Sequence, residues 1–406
     1  MPAKNSSGII QVPILFAFVF LTLIAGVIFF KPKNQEQAAP QRISGFGELI
    51  KKIFPTPIPS PGQASSPGPT QTPKASTSAP FQTGTPQPTP APSRTPTPAP
   101  QPPPAASGVT KKVMLLIYNP ILESKGGKRL TAEKGWGDAT SLSQSFINDI
   151  KDVSGGYLTY QIAQTYEIDA IPTNADGFNY SDDSYLSCLS NSSLCHSPDI
   201  ANYNTILSDY QACEKRNNGE IDEVWIWGGP YFGYYESRLT GPGAFWYNAP
   251  VLTGTTCQKL LPIMGFNYER GVSEMFEDMG HRFEATLDYV FGTRGPNKNT
   301  LWSQFALRNI DVVGEAGCGN IHYGPNSTSD YDWSNQSSVQ SACDDWYNFP
   351  NLTGAKKSVN CSSWDCDGYS FKKWWHKHLP KANGKTNGKL NNWWKYVADY
   401  ESAIKE

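Results

Sequence analysis

Histidine is scarce in this 406-residue chain, with only five, and charged residues make up only 17%. The usual small motifs are scarce too. No C-x-x-C pair occurs, which removes the ordinary signature of a zinc ribbon or a thioredoxin-like redox centre. No G-x-S-x-G elbow, G-x-x-x-x-G-K-[ST] loop or G-x-G-x-x-G fingerprint after the first strand occurs either. These absences argue against a serine α/β-hydrolase, a P-loop enzyme and a dinucleotide-binding domain.

The absences are also uneven along the chain. Residues 1–108 contain no Trp, Tyr, His or Cys, yet hold 22 of the 33 prolines and 8 Lys/Arg against 2 Asp/Glu. All 12 Trp, 20 Tyr, 5 His and 8 Cys fall after residue 108, where 26 Lys/Arg face 34 Asp/Glu. A tether of charge +6 therefore precedes a globule of charge −8. Such a globule offers no broad basic face, so nucleic acid is excluded as a partner.

After a short tail (1–8), Ile9–Phe30 runs for 22 residues without a charge. At about 1.5 Å per residue that is enough to cross a hydrocarbon core, and it reads as a retained signal anchor. Residues 31–108 form a linker. Within it, 43–54 have helical apolar spacing suited to a lipid surface, and 55–108 are Pro, Thr, Ser and Ala, an extended disordered spacer. Eight cysteines beyond an anchor imply disulfides in an oxidising compartment, which places the globule outside a cell membrane. Cys188 with Cys195 and Cys361 with Cys366 can each close a short loop.

Four segments read as strands: 112–118, 157–168, 223–227 and 260–266. Helical patterns lie at 139–152, 199–216, 269–291 and 391–405. This alternation predicts an α/β fold, three-layered, with a mostly parallel sheet of about four or more strands across 109–295. Residues 296–406 read as an irregular, disulfide-pinned, Trp-rich layer packed on that domain.

Ligands of open α/β sheets gather beyond the carboxyl ends of the strands, which selects Asn119, Gly228 to Tyr231, and Asn267 to Arg270. Glu269 and Arg270 are thus candidate catalytic or substrate contacts. On the following helix, Arg270, Glu274, Glu277, His281, Glu284 and Asp288 recur at spacings of three and four, so Glu277, His281 and Glu284 can meet on one face. Two carboxylates and an imidazole suit a divalent metal such as zinc. His322, in CGNIHYGPN, is a candidate further ligand, and His376, in WWHKHLP, a candidate proton carrier. Asp330 and Asp332 begin a D-x-D-x-S run with partial likeness to a calcium loop.

The stretch from Glu277 to Glu284 resembles the H-E-x-x-H helix of zinc peptidases. Glu277 stands at the first His and Asp278 at the catalytic Glu. The resemblance spans eight residues and departs at those two positions, so it assigns no activity; hydrolytic chemistry is expected from a metal held by His281, Glu277 and His322, which leaves a position open for water. The resulting expectation is a membrane-tethered hydrolase acting on a cell-wall or extracellular glycan or peptide polymer. The alternative is a non-catalytic glycan-binding or adhesion module, using aromatic clusters at 225–247 and 364–394 as sugar platforms.

Overall fold

The computed structural model describes residues 107–406. The anchor at 9–30, the 43–54 segment and the spacer lie outside the described residues. Among those described, no helix is long and apolar enough to cross a membrane.

Five strands build the main sheet: β1 (Val109–Tyr118), β2 (Leu158–Ile168), β3 (Glu223–Gly228), β4 (Ser237–Thr240) and β5 (Leu261–Asn267). Their order is β2-β1-β3-β5-β4. The first four of these positions are parallel neighbours, and β4 is an antiparallel edge on β5. Central strands β1 and β3 read as continuous apolar runs because both of their faces are covered. In β1, Val113, Leu115 and Ile117 enter one core, whereas Met114, Leu116 and Tyr118 enter the other. Trp225 and Trp227 of β3 follow the first set, Val224 and Ile226 the second. That division is the period-two alternation of a strand.

The first face is covered by α1 (Ala139–Val153) and α5 (Val272–Phe291). Asp138 caps α1 by accepting from the Ser141 N–H at 2.7 Å. The second face is covered by α2 (Asp182–Ser190), α3 (Tyr203–Asp209) and α4 (Ala212–Asn217). The 199–216 pattern divides into α3 and α4 because Gln211 takes a left-handed conformation (φ 54°).

The segment after 295 adds α6 (Leu301–Ala306), α7 (Gly368–His378) and α8 (Trp393–Ala398). Trp302, Trp346, Trp375, Trp393 and Trp394 are buried in the core shared with α1 and α5. Four disulfides, Cys188–Cys195, Cys213–Cys257, Cys318–Cys343 and Cys361–Cys366, use every cysteine.

Candidate metal centre

The edge where ligands were expected, beyond β1 and β3, is filled by protein. Gly229 has no room for a side chain, since a Cβ there would lie 2.2 Å from the Tyr185 hydroxyl and 3.3 Å from Trp136. Asn119 is held at both ends of its amide by Thr131. Glu269 is exposed, and its backbone N–H bonds the Asn267 side chain. Arg270 pairs with Glu274 at 3.1 Å and borders a small cleft with Glu236, Asn267 and Asp278.

The chemistry concentrates instead on α5. The middle of its polar ridge is covered rather than solvated, with Glu277 4% exposed and Glu284 5%, and the adjoining Asp278 is 7% exposed. The cover is the loop 318–323, pinned by Cys318–Cys343 and bound by the Ile321 N–H to Glu284 Oε1 at 3.2 Å. Glycine at 280 permits this approach, because a Cβ there would lie 2.3 Å from Ile321 Cγ1. Asn320 then turns the chain, its Oδ1 accepting from the N–H groups of His322 and Tyr323. His322 thereby reaches the helix.

Three ligand atoms, one each from Glu277, His281 and His322, lie within 4.8 Å of one another. The two Nε2 atoms are 3.0 Å apart, and His322 Nε2 is 3.0 Å from Glu277 Oε1. A tetrahedral ion with bonds of about 2.0 to 2.1 Å has ligand-to-ligand edges of about 3.3 Å, so these separations suit one small ion.

Each imidazole is held from behind. His281 Nδ1 is 3.0 Å from Glu284 Oε2, and His322 Nδ1 is 3.1 Å from Asp330 Oδ1. An Nδ1–H donated to a carboxylate fixes the tautomer and leaves an Nε2 lone pair facing inward. Two inward lone pairs 3.0 Å apart need a cation or a shared proton between them. Glu277 is likewise divided, with Oε1 toward the histidines and Oε2 paired with the fully buried Lys372 at 2.7 Å.

Two expectations change at this site. Glu284, expected as a ligand, sits on the Nδ1 side of His281, away from the convergence point, and pairs with Arg294 at 3.2 Å. Its carboxylate orients His281. His376, expected to carry protons, is fully buried among Phe276, Phe283 and Trp394, with Nδ1 on the Lys372 carbonyl. It faces the core because α7 turns that side of WWHKH inward. The aspartates of the D-x-D-x-S run also separate: Asp330 holds His322, whereas Asp332 accepts from the Thr328 N–H and the Asn335 amide.

Other residues reach the site without a sequence signal. Glu236, just before β4, places Oε2 3.7 Å from His281 Nε2 and accepts from the Asn248 amide. It lies outside the mutually close set of three. Tyr331, at φ 59°, places its hydroxyl 3.0 Å from Glu277 Oε1 and 3.3 Å from His322 Nε2.

The charges respond to one another. With no ion bound, burial disfavours a charged His322, but its bonds to Asp330 and Glu277 outweigh that and hold its proton up to about 10, so an ion must displace the Nε2 proton in order to bind there. Burial would also raise Glu277, yet His322 and Lys372 hold its carboxyl well below the usual range. Asp278 is pushed upward, first by burial and then by Glu236 and Glu277.

Compared with protein-family models and with curated proteins, the chain finds no match.

Proposed function

We propose that the globule is a divalent-metal-dependent hydrolase, tethered outside the membrane and acting on a cell-wall or extracellular glycan or peptide polymer. The observation that carries this reading is the convergence of Glu277 Oε1, His281 Nε2 and His322 Nε2, with a carboxylate behind each imidazole. Three protein ligands leave coordination space for water, and a bound divalent ion would lower the pKa of that water toward neutrality. Glu236 is the group placed to accept its proton, across from His281 and at the cleft it shares with Arg270 and Asp278. Arg270 would contact a polar substrate entering there.

A sugar-platform reading has little support, because aromatic rings that would form it are used in the core. Of the 12 Trp, eight are buried and only Trp246 is exposed. The test is digestion of cell-wall polysaccharide and peptide polymers by the full chain in detergent, metal-loaded and chelated. Release of new reducing ends or amino groups only when metal-loaded supports the proposal. An absence of stoichiometric metal, with stability unchanged by chelation, refutes it.

A further inference from the structure

The convergence point is met by a fourth side chain. Tyr331 Oη is 3.0 Å from Glu277 Oε1 and 3.3 Å from His322 Nε2, close to the 3.0 Å that separates His322 Nε2 from both His281 Nε2 and Glu277 Oε1. Four of the six edges of a four-donor polyhedron thus measure between 3.0 and 3.3 Å. A phenol that merely closed the site would need to meet only one partner. This one touches two donor atoms on their inward side.

The backbone explains how it gets there. Tyr331 adopts a left-handed conformation at φ 59°, which costs a non-glycine residue of order 1 kcal/mol or more and persists only where its surroundings impose it. Those surroundings belong to the site. The Tyr331 N–H donates to the His322 carbonyl at 3.1 Å, and the residue before it, Asp330, holds His322 Nδ1. One turn therefore fixes the imidazole from behind and brings the phenol to its front. The ring is further set against His322 (centroids 4.5 Å) and Trp333 (5.0 Å).

We propose that Tyr331 is a fourth protein ligand, its phenol oxygen completing an ion site with Glu277, His281 and His322. This rests on reading those three as metal ligands. On metal binding the O–H that bonds Glu277 gives up its proton to solvent, and the phenolate binds the ion. Water would then enter by expansion to five-coordinate, as catalytic zinc allows. Imidazole and phenolate donors together also suit copper(II), which makes the ligand visible to spectroscopy.

The experiment loads the metal-stripped full chain, in detergent, with one equivalent of copper(II). Metal content and the visible and resonance Raman spectra are then recorded for the wild type and for Tyr331→Phe. The expected result is one copper per chain in both, with a phenolate-to-copper charge-transfer band in the wild type alone. One bound copper without that band, or a band that persists in Tyr331→Phe, overturns the proposal and leaves the three-ligand site standing. Failure of the wild type to bind either copper or zinc stoichiometrically overturns both. Absence of the band from the wild-type spectrum overturns the proposal whatever the variant does, so a poorly folding variant does not protect the idea.

Discussion

Gly280→Ala sets two effects of opposite sign against each other. Alanine in a helix interior is favoured over glycine by about 1 kcal/mol, so in an open helix this substitution would stabilise. Here the new methyl would lie 2.3 and 2.4 Å from Ile321 Cγ1 and Cδ1 and 2.8 Å from its Cβ. Ile321 is fully buried, and its N–H is tied to Glu284, so the chain cannot yield by a rotamer change alone. Overpacking of this kind costs about 1 to 3 kcal/mol, which cancels or exceeds the helix gain. The loop must shift outward, and His322 is the next residue. We therefore expect stability to change by about 0 to 2 kcal/mol in the unfavourable direction, and zinc affinity to fall at least tenfold. Chemical denaturation and a competitive zinc titration measure the two quantities. Adding Ile321→Ala restores most of the lost affinity. If Gly280→Ala gains about 1 kcal/mol and binds zinc as before, the loop does not dock as described.

Three further outcomes follow from neighbouring observations. Glu284→Gln and Asp330→Asn, which alter the groups behind the imidazoles, each lower metal affinity about 10- to 100-fold without abolishing binding; an unchanged affinity in a metal titration would contradict their orienting role. Burial depresses His376 to about 3 from the ordinary 6.5, so the unfolded chain takes up that proton first. Its stability contribution is intact above about pH 6.5 and is lost as pH falls toward 3, at up to about 1.4 kcal/mol per pH unit. His376→Phe flattens this limb of the stability profile; an identical acid limb in the variant would refute the assignment. Removing Cys318–Cys343, which spans 25 residues, costs about 3.5 kcal/mol by loop entropy and loosens the His322 loop. Urea melts of the double serine variant check it, and a loss below about 1 kcal/mol would show that packing alone holds the loop.

Apolar runs made β1, β3 and β5 readable, because central parallel strands are buried on both faces, whereas edge strand β2 was readable from the alternation in LTYQIAQTYEI. Edge strand β4, the four residues SRLT, carries too short an alternation to stand out. Helix α5 was readable from its spacing, although it starts at Val272 and not 269, since the segment from Glu269 to Gly271 forms the turn that leaves β5. The C-terminal helical pattern splits at Asp399, and α7 was not read as a helix although Phe371, Trp374, Trp375 and His378 stand at i, i+3, i+4 and i+7, because its aromatic residues were taken for a sugar-binding cluster. At the site, the i, i+4 spacing of Glu277 and His281 and the rarity of histidine pointed to the three residues that the structure brings together, Glu277, His281 and His322. Spacing could not tell which ring nitrogen Glu284 would meet, so it was read as a ligand. Glu236, Asp330, Tyr331 and Lys372 arrive from elsewhere in the chain, through a strand edge, a strained turn and a helix of the C-terminal layer. Only tertiary structure brings them in.

The most direct test of the account is the number of zinc ions held by the full chain near pH 8, counted by titration with an independent metal analysis. The account predicts one ion per chain in the wild type, and none held with comparable affinity in Glu277→Ala, His281→Ala or His322→Ala. A wild type that binds no zinc, or variants that bind it as tightly, would contradict it.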